Sequence, residues 1–274
     1  MAGHIIKVCN LSYRYADGTQ ALRGLSFSIL SGEKVALMGP NGAGKSTLLL
    51  HLNGLYLAQE GEVWVLGRRV SRSNAEEVRK LVGMVFQDPD DQVLAPTVEE
   101  DVAFGPRNMG LEPEEVKRRV DKALEDVGLL DLRRKAPHNL SYGQKKRVAI
   151  AGVLAMQPEI LVLDEPMAFL DPLGQEGLLA ILDRYHRAGK TLVIATHDVD
   201  FAAAWADRIL ILSQGSLLAS GPAQILCDAG LVQRAGLRLP LVAQLFYGYL
   251  PPGSALPHDL TSGRSLLGEL LRQG

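Results

Sequence analysis

The chain of 274 residues carries 29 Lys and Arg against 31 Asp and Glu, a net charge of −2, with 22% charged and 47% hydrophobic residues. That length buries a sizeable core as one domain, or as one domain with an appendage, and the near-neutral charge argues against general nucleic-acid binding. Cys9 and Cys227 lie far apart without metal-ligand spacing and read as free thiols of a reducing compartment. Met1–Lys7 lacks the apolar core of a signal peptide. No apolar run reaches the ~20 residues that span a bilayer. The longest, Leu192 to Leu212, is broken by His197, Asp198, Asp200, Asp207 and Arg208. A membrane task therefore falls to a partner.

In chain order, Ile5 to Tyr15 and Leu25 to Leu30 read as strands around an Asp17-Gly18 turn, and Glu62 to Leu66 as a third. Together they predict a small antiparallel sheet near the N-terminus. Tyr15 suits stacking on a base, although a strand aromatic more often packs within its sheet.

Lys34 to Met38 predicts a buried strand, and Ser46 to Leu52 the opening of a helix. Between them Gly39-Pro40-Asn41-Gly42-Ala43-Gly44-Lys45-Ser46-Thr47 fits G-x-x-x-x-G-K-[ST], the phosphate-cradling loop. Gly39, Gly42 and Gly44 let the backbone turn tightly and aim N–H groups at phosphate oxygens. The helix N-terminus adds favourable partial charge. Lys45 suits the β- and γ-phosphates, and the Ser46 hydroxyl suits Mg²⁺.

Val82 to Gln87 predicts a strand ending in the polar run Gln87 to Gln92, where Pro89 stops the ladder. Gln87 there suits a metal or a water, or is a solvated loop residue. Asp88, Asp90 and Asp91 read as a solvated acidic loop unless a basic partner docks. Thr97 to Gly152 is helical in character: Thr97 and Glu100 have capping-box spacing, Pro113 suits a first turn, and Val116, Val120, Ala123, Leu124 and Val127 form one face ahead of Gly128. This predicts an inserted helical subdomain over about 97–155. Ser141 and Gln144 in Leu140-Ser-Tyr-Gly-Gln144 again have capping-box spacing, and the same helix start can present N–H groups and a hydroxyl to an anion.

Ile160 to Glu165 is an apolar run ending in two carboxylates, as in a buried parallel strand with catalytic groups at its carboxyl end. Asp164 suits Mg²⁺, and Glu165 suits polarising a water. Pro172 favours an extended Asp171. Leu178 to Tyr185 predicts a helix, and Thr191 to Thr196 a further buried strand. His197 follows that strand and suits a γ-phosphate, although such a histidine is more often structural. Arg208 to Leu212 and Leu217 to Ser220 predict a hairpin around Gln214-Gly215. From about Leu231 the chain is interrupted by Pro240, Pro251, Pro252 and Pro257, and Leu266 to Leu271 predicts a short amphipathic helix. This tail reads as a cover for the main domain or an oligomer contact.

The ordered set of phosphate loop, Gln87, Leu140–Gln144, Ile160–Glu165, Asp171 and His197 resembles the nucleotide-binding subunit of ATP-binding-cassette (ABC) transporters, over about Ile5 to Leu226. The resemblance implies an α/β P-loop NTPase core with a mainly parallel sheet, an N-terminal antiparallel β subdomain, the helical insert, and a small C-terminal extension over 227–274. It implies ATP and Mg²⁺, held by Gly39, Asn41, Gly42, Gly44, Lys45, Ser46 and Thr47, with Tyr15 on the adenine. Gln87 matches the glutamine joining the metal site to the membrane-facing surface, and Glu165 and His197 the catalytic glutamate and switch histidine. Ser141, Gly143 and Gln144 match the signature that meets ATP held by the opposite subunit, and Asp171 the aspartate at that interface. Tyr142 stands where the family usually has a second glycine.

A narrower resemblance, at Phe86–Gln92, Pro96–Gly105 and Val148–Met156, is to the ATPase of energy-coupling-factor importers of the cobalt and nickel branch. It implies a second ATPase subunit in a homodimer, a transmembrane coupling protein, a substrate-binding membrane protein, and a peripheral place on the cytoplasmic face of the cell membrane. Asp90 and Asp91 would then face arginines of the coupling protein. A cassette ATPase acting on nucleic acid or ribosomes, and a vitamin importer, are the alternatives.

Overall fold

The computed structural model describes residues 3–251 and 254–273, so the expected proline break at Pro252 and the terminal residues Met1 and Ala2 lie outside the described residues. Two sheets form the frame. Strands β1 (His4–Arg14), β2 (Gln20–Leu30), β4 (Glu60–Val65) and β5 (Arg68–Arg69) build an antiparallel sheet in the order β2-β1-β4-β5. The second sheet uses β3 (Lys34–Met38), β6 (Val82–Val85), β7 (Ile160–Asp164), β8 (Thr191–Ala195), β9 (Arg208–Ser213) and β10 (Ser216–Gly221) in the order β10-β9-β3-β8-β7-β6. It is parallel except for β10, which returns through Gln214-Gly215, both at positive φ, as a two-residue hairpin requires. β7 and β8 are buried throughout, which is why they read as unbroken apolar runs rather than alternating ones.

Helix α1 (Lys45–Leu52) lies between the sheets. Its Leu48, Leu49 and Leu52 share one core with Ile6, Leu11 and Ile29 of the antiparallel sheet and Leu37 and Val193 of the parallel one. A short helix α2 (Ala75–Leu81) leads into β6. The insert is three helices, α3 (Val98–Asn108), α4 (Pro113–Asp126) and α5 (Tyr142–Ala155). The predicted face Val116, Val120, Ala123, Leu124 and Val127 is buried, and it joins α3, α5 and the far face of β7 in a second core. Then come α6 (Pro172–Arg187) and α7 (Val199–Trp205). A third core, built on Ala36, Met38 and Ile209, continues beyond Leu226 to Leu231, Val232 and Ala235. The tail carries α8 (Ala229–Arg234), α9 (Leu241–Phe246) and α10 (Leu260–Gln273).

Several expected boundaries move. β2 begins at Gln20 rather than Leu25, because its ladder with β1 continues to the pair Arg14↔Gln20. β1 ends at Arg14, leaving Tyr15 outside the strand. β6 ends at Val85, not Gln87: the Phe86 N–H is taken by Gln92 Oε1 at 3.0 Å, and a tight turn follows at Pro89–Asp91. The Thr97 box is half formed. Its hydroxyl accepts the Glu100 N–H, but the Glu100 carboxylate meets that same hydroxyl instead of the Thr97 N–H. The helix expected at Leu266 starts at Leu260, where Asp259 Oδ1 accepts the Ser262 N–H at 2.8 Å.

Candidate functional site

The carboxyl ends of β3, β7 and β8 meet at one edge of the parallel sheet, where ligand sites of open α/β sheets lie. A cleft of about 550 Å³ opens there. One wall is the loop after β3. Gly44, at φ +99, starts α1 and sits so close to β2 that a Cβ would lie 2.7 Å from the Ala21 carbonyl oxygen. That approach presses the antiparallel sheet against the loop. Tyr15 extends the same wall. Its hydroxyl hydrogen-bonds Thr47 Oγ1 at 2.8 Å, and its ring stands edge-on to Tyr13 and Tyr56.

Lys45 is buried and folds back across its own loop, donating to the carbonyls of Gly39 at 2.8 Å and Pro40 at 3.2 Å. Burial pulls its pKa below the usual lysine range, against the fields of Glu165 and Asp164. Opposite stand the two acids. Asp164 is buried, and desolvation holds its carboxyl above the usual range although the Ser46 hydroxyl hydrogen-bonds it. Glu165 follows at φ +44, an uncommon conformation for a side-chain-bearing residue, with its N–H bonded to Ala195 O at 2.9 Å. His197 Nδ1 lies 2.8 Å from Glu165 Oε1, which orients the carboxylate.

The cleft thus gathers Tyr15, Asn41, Gly42, Gly44, Lys45, Ser46, Thr47, Gln87, Asp164, Glu165 and His197. Gly39 lies beneath, its carbonyl holding Lys45. Ser141, Gly143, Gln144 and Asp171 are not among its lining residues. Ser141 and Gln144 form a complete capping box at the start of α5: Ser141 Oγ accepts the Gln144 N–H, and Gln144 Oε1 accepts the Ser141 N–H at 3.0 Å. Asp171 caps α6 through the Gly174 N–H at 2.8 Å. Phe169, 74% exposed at φ +63, also lines the cleft and was not anticipated; its signal was an apolar aromatic in the loop after two acids.

For Mg²⁺ the residues fit. Ser46 Oγ, the Asp164 carboxylate and the Gln87 side chain form an all-oxygen set, the kind this hard ion takes, and the buried acid stands beside the hydroxyl. No cluster of three or more His, Cys, Asp or Glu suited to a metal occurs among the described residues.

Comparison with known proteins decides the family. The ABC transporter family model matches residues 22–168. The chain belongs to the ABC transporter family. It is an ABC ATPase with the P-loop NTPase fold. It is 50% identical over 262 residues, 96% of this chain and 97% of the other, to the energy-coupling factor transporter ATP-binding protein EcfA of Carboxydothermus hydrogenoformans. The EcfA of Methanocaldococcus jannaschii is also 50% identical, covering 88% of each chain. Among solved structures, cbiO1 from Clostridium perfringens, part of the ABC transporter complex cbiONQ, is 40% identical with TM-score 0.74, over 89% of this chain and 98% of that one. A dimeric post-hydrolysis cassette, MJ0796 bound to ADP and Pi, is 31% identical with TM-score 0.73, over 80% and 98%.

Proposed function

We propose that this ABC ATPase powers an energy-coupling-factor importer through ATP-driven, head-to-tail closure of two copies. One observation carries the reading. The cleft assembles Lys45, Ser46, Asp164, Glu165 and His197, while Ser141, Gly143 and Gln144 do not line it and Ser141 is capped and exposed, as half of a site would be. A second copy turned by a two-fold axis would bring its Ser141, Gly143 and Gln144 to this nucleotide, with Asp171 at the seam.

In this site Lys45 and the N–H groups of the Gly39–Gly44 loop hold the phosphate oxygens of ATP, and Tyr15 takes the adenine face. Ser46, Asp164 and Gln87 would hold Mg²⁺, which when bound neutralises charge on the β- and γ-phosphates. Glu165, oriented by His197, accepts a proton from the attacking water as it bonds to the γ-phosphorus and ADP leaves. ATP strengthens only the closed pair, so binding closes it and hydrolysis reopens it.

Docking on a transmembrane coupling protein is supported by an apolar groove of about 440 Å³ between α3 and α5, flanked by the exposed Leu94 and Phe104. Asp90 and Asp91 precede it. Asp90 holds Lys145 at 2.6 Å, so its charge is already shared within the chain. If charge reversal at both aspartates left assembly and uptake unaffected, the coupling-protein contact would be wrong. Cobalt or nickel as cargo rests on the segments Phe86–Gln92 and Pro96–Gly105 and on the likeness to cbiO1. A place on the cytoplasmic membrane face is proposed from such partners alone; no described helix is long and apolar enough to cross a bilayer. The proposed division is residues 1–226 for the cassette and 227–274 for an extension; its first helix, α8, still packs in the cassette's third core through Leu231 and Val232, and its exposed Leu245 and Leu271 suit a dimer contact.

The test is Glu165→Gln. It should bind ATP, accumulate a dimer by light scattering, and turn over about 10²–10⁴-fold more slowly, the usual contribution of a general base. Near-normal hydrolysis would remove Glu165 from the mechanism.

A further inference from the structure

Lys146 is a charged side chain with no solvent exposure, in the first turns of α5. Lysine is almost never fully buried unless paired. Here its ammonium donates to the carbonyls of Phe86 at 2.9 Å and Gln87 at 2.7 Å. Those carbonyls lie just past the end of β6 and are outside its ladder with β7. Tyr142, one helical turn earlier on the same face of α5, adds a longer contact from its hydroxyl to the Gln87 carbonyl at 3.3 Å. Its ring packs edge-on against Phe169 at the cleft. An apolar side chain at position 146 would remove the amine from both carbonyls, leaving the Gln87 carbonyl only the longer Tyr142 contact and the half-buried Phe86 segment no side-chain hold on α5.

The consequence concerns two places at once. Gln87 lines the cleft of its own subunit. Ser141 and Gly143 sit on the same first turn of α5 as Tyr142. We infer that Lys146 and Tyr142 are positioning residues that fasten the Gln87 segment to the start of α5, so that the segment facing one nucleotide and the helix end facing the other move as one piece. The link rests on the dimeric reading above for its purpose, but its existence is a property of the single chain. The segment has internal bonds of its own that keep it compact: Gln92 Oε1 holds the Phe86 N–H and Gln92 Nε2 donates to Met84 O at 3.1 Å. The tether therefore has a stiff body to pull on. Tyr142 makes its contribution from the position where the family usually carries glycine, which has no side chain to reach Gln87.

The decisive comparison uses the full chain with Lys146→Met, Lys146→Gln and Tyr142→Phe. Lys146→Met removes the donor, Lys146→Gln keeps N–H groups on a shorter stem, and Tyr142→Phe removes only the hydroxyl. Amide hydrogen exchange over residues 86–93 is read without nucleotide. MgATP affinity and kcat are read separately, and exchange in α4 serves as a control. In Lys146→Met the 86–93 amides should exchange at least ~10-fold faster with α4 unchanged, while kcat falls about tenfold and the MgATP Kd stays within about twofold. Lys146→Gln should recover part of both effects, and Tyr142→Phe should show a smaller change of the same kind. Should Lys146→Met fail to fold, the other two variants decide the matter alone. Unchanged exchange over 86–93 in the folded variants overturns the tether. Loss of kcat accompanied by an equal loss of affinity overturns the positioning role and leaves only a structural one. If the wild-type chain neither dimerises with ATP nor hydrolyses it, the proposed function fails, while the exchange comparison still decides the tether.

Discussion

Gly42 and Gly44 occupy the same loop at similarly positive φ, +78 and +99, but differ in what surrounds them. A Cβ at Gly42 meets nothing within 4 Å. One at Gly44 would lie 2.7 Å from the Ala21 carbonyl oxygen and 2.9 Å from Leu22 Cδ2. Gly42→Ala therefore carries only the conformational penalty of a left-handed residue, about 1–2 kcal/mol. Gly44→Ala carries that and an overlap with β2, which overpacking data put at about 1–3 kcal/mol more. The backbone of Ala21 cannot yield freely, because the turn at Gly215 packs against the same carbonyl, its own Cβ position being 2.7 Å away. The assay is urea unfolding of the nucleotide-free chain. Gly44→Ala should be less stable than Gly42→Ala by about 1–3 kcal/mol, with a melting point lower by roughly 2–4 °C per kcal/mol. Equal stability of the two would show that the antiparallel sheet does not bear on the phosphate loop.

Ser141→Asp separates capping from ATP contact. Aspartate caps as well as serine, so unfolding stability should change by less than about 0.5 kcal/mol, whereas hydrolysis should collapse because a negative charge now meets the other subunit's γ-phosphate. A variant that hydrolyses normally would place Ser141 away from the nucleotide. Cys227 gives a pH test. Burial pushes its thiol up to about 11 from an ordinary 9.0, so alkylation at pH 8 should be about 100-fold slower in the folded chain than after denaturation. The unfolded chain loses this proton near pH 9 and the folded chain near 11. The associated stability is intact below 9 and lost as pH rises through 11, and Cys227→Ala should remove that part of the alkaline decline in a denaturation series. Asp101 Oδ2 accepts the N–H groups of Leu94 at 2.8 Å and Ala95 at 2.9 Å. Asp101→Ala should cost about 1–3 kcal/mol in unfolding experiments by leaving both unpaired, and no loss would mean that water replaces the carboxylate.

The phosphate loop, β7, β8 and the β9–β10 hairpin were legible because each is written in consecutive residues: glycines at fixed offsets, two apolar runs, and Gln214-Gly215. The capping box at Ser141 was legible for the same reason, since both partners lie within one turn. What escaped depends on residues far apart in the chain. The end of β6 is set by Gln92 reaching back to Phe86, which outcompetes a strand pattern that runs on to Gln87. Tyr15 reads more readily as a packed strand aromatic until the Arg14↔Gln20 pair ends β1 before it. Lys146 looks like a surface lysine in a run of three basic residues. Only the fold brings it beneath the Phe86 and Gln87 carbonyls, and its one local sign is a position four residues after Tyr142 on a face that is otherwise apolar. The exclusion of Ser141 from the cleft was legible only through resemblance, because nothing in the spacing of the motifs says which copy they serve.

If each nucleotide site is shared between two copies, mixing two inactive variants should rebuild a working one. Lys45→Ala lacks the ammonium proposed to hold phosphate but offers an intact Ser141, while Ser141→Asp keeps an intact phosphate loop. A mixed dimer contains one complete composite site. Equal mixing should therefore restore up to about a quarter of wild-type ATP hydrolysis, since about half the dimers are mixed and each has one working site of two. Mixed dimers that form but show no hydrolysis above the separate variants would contradict the shared site.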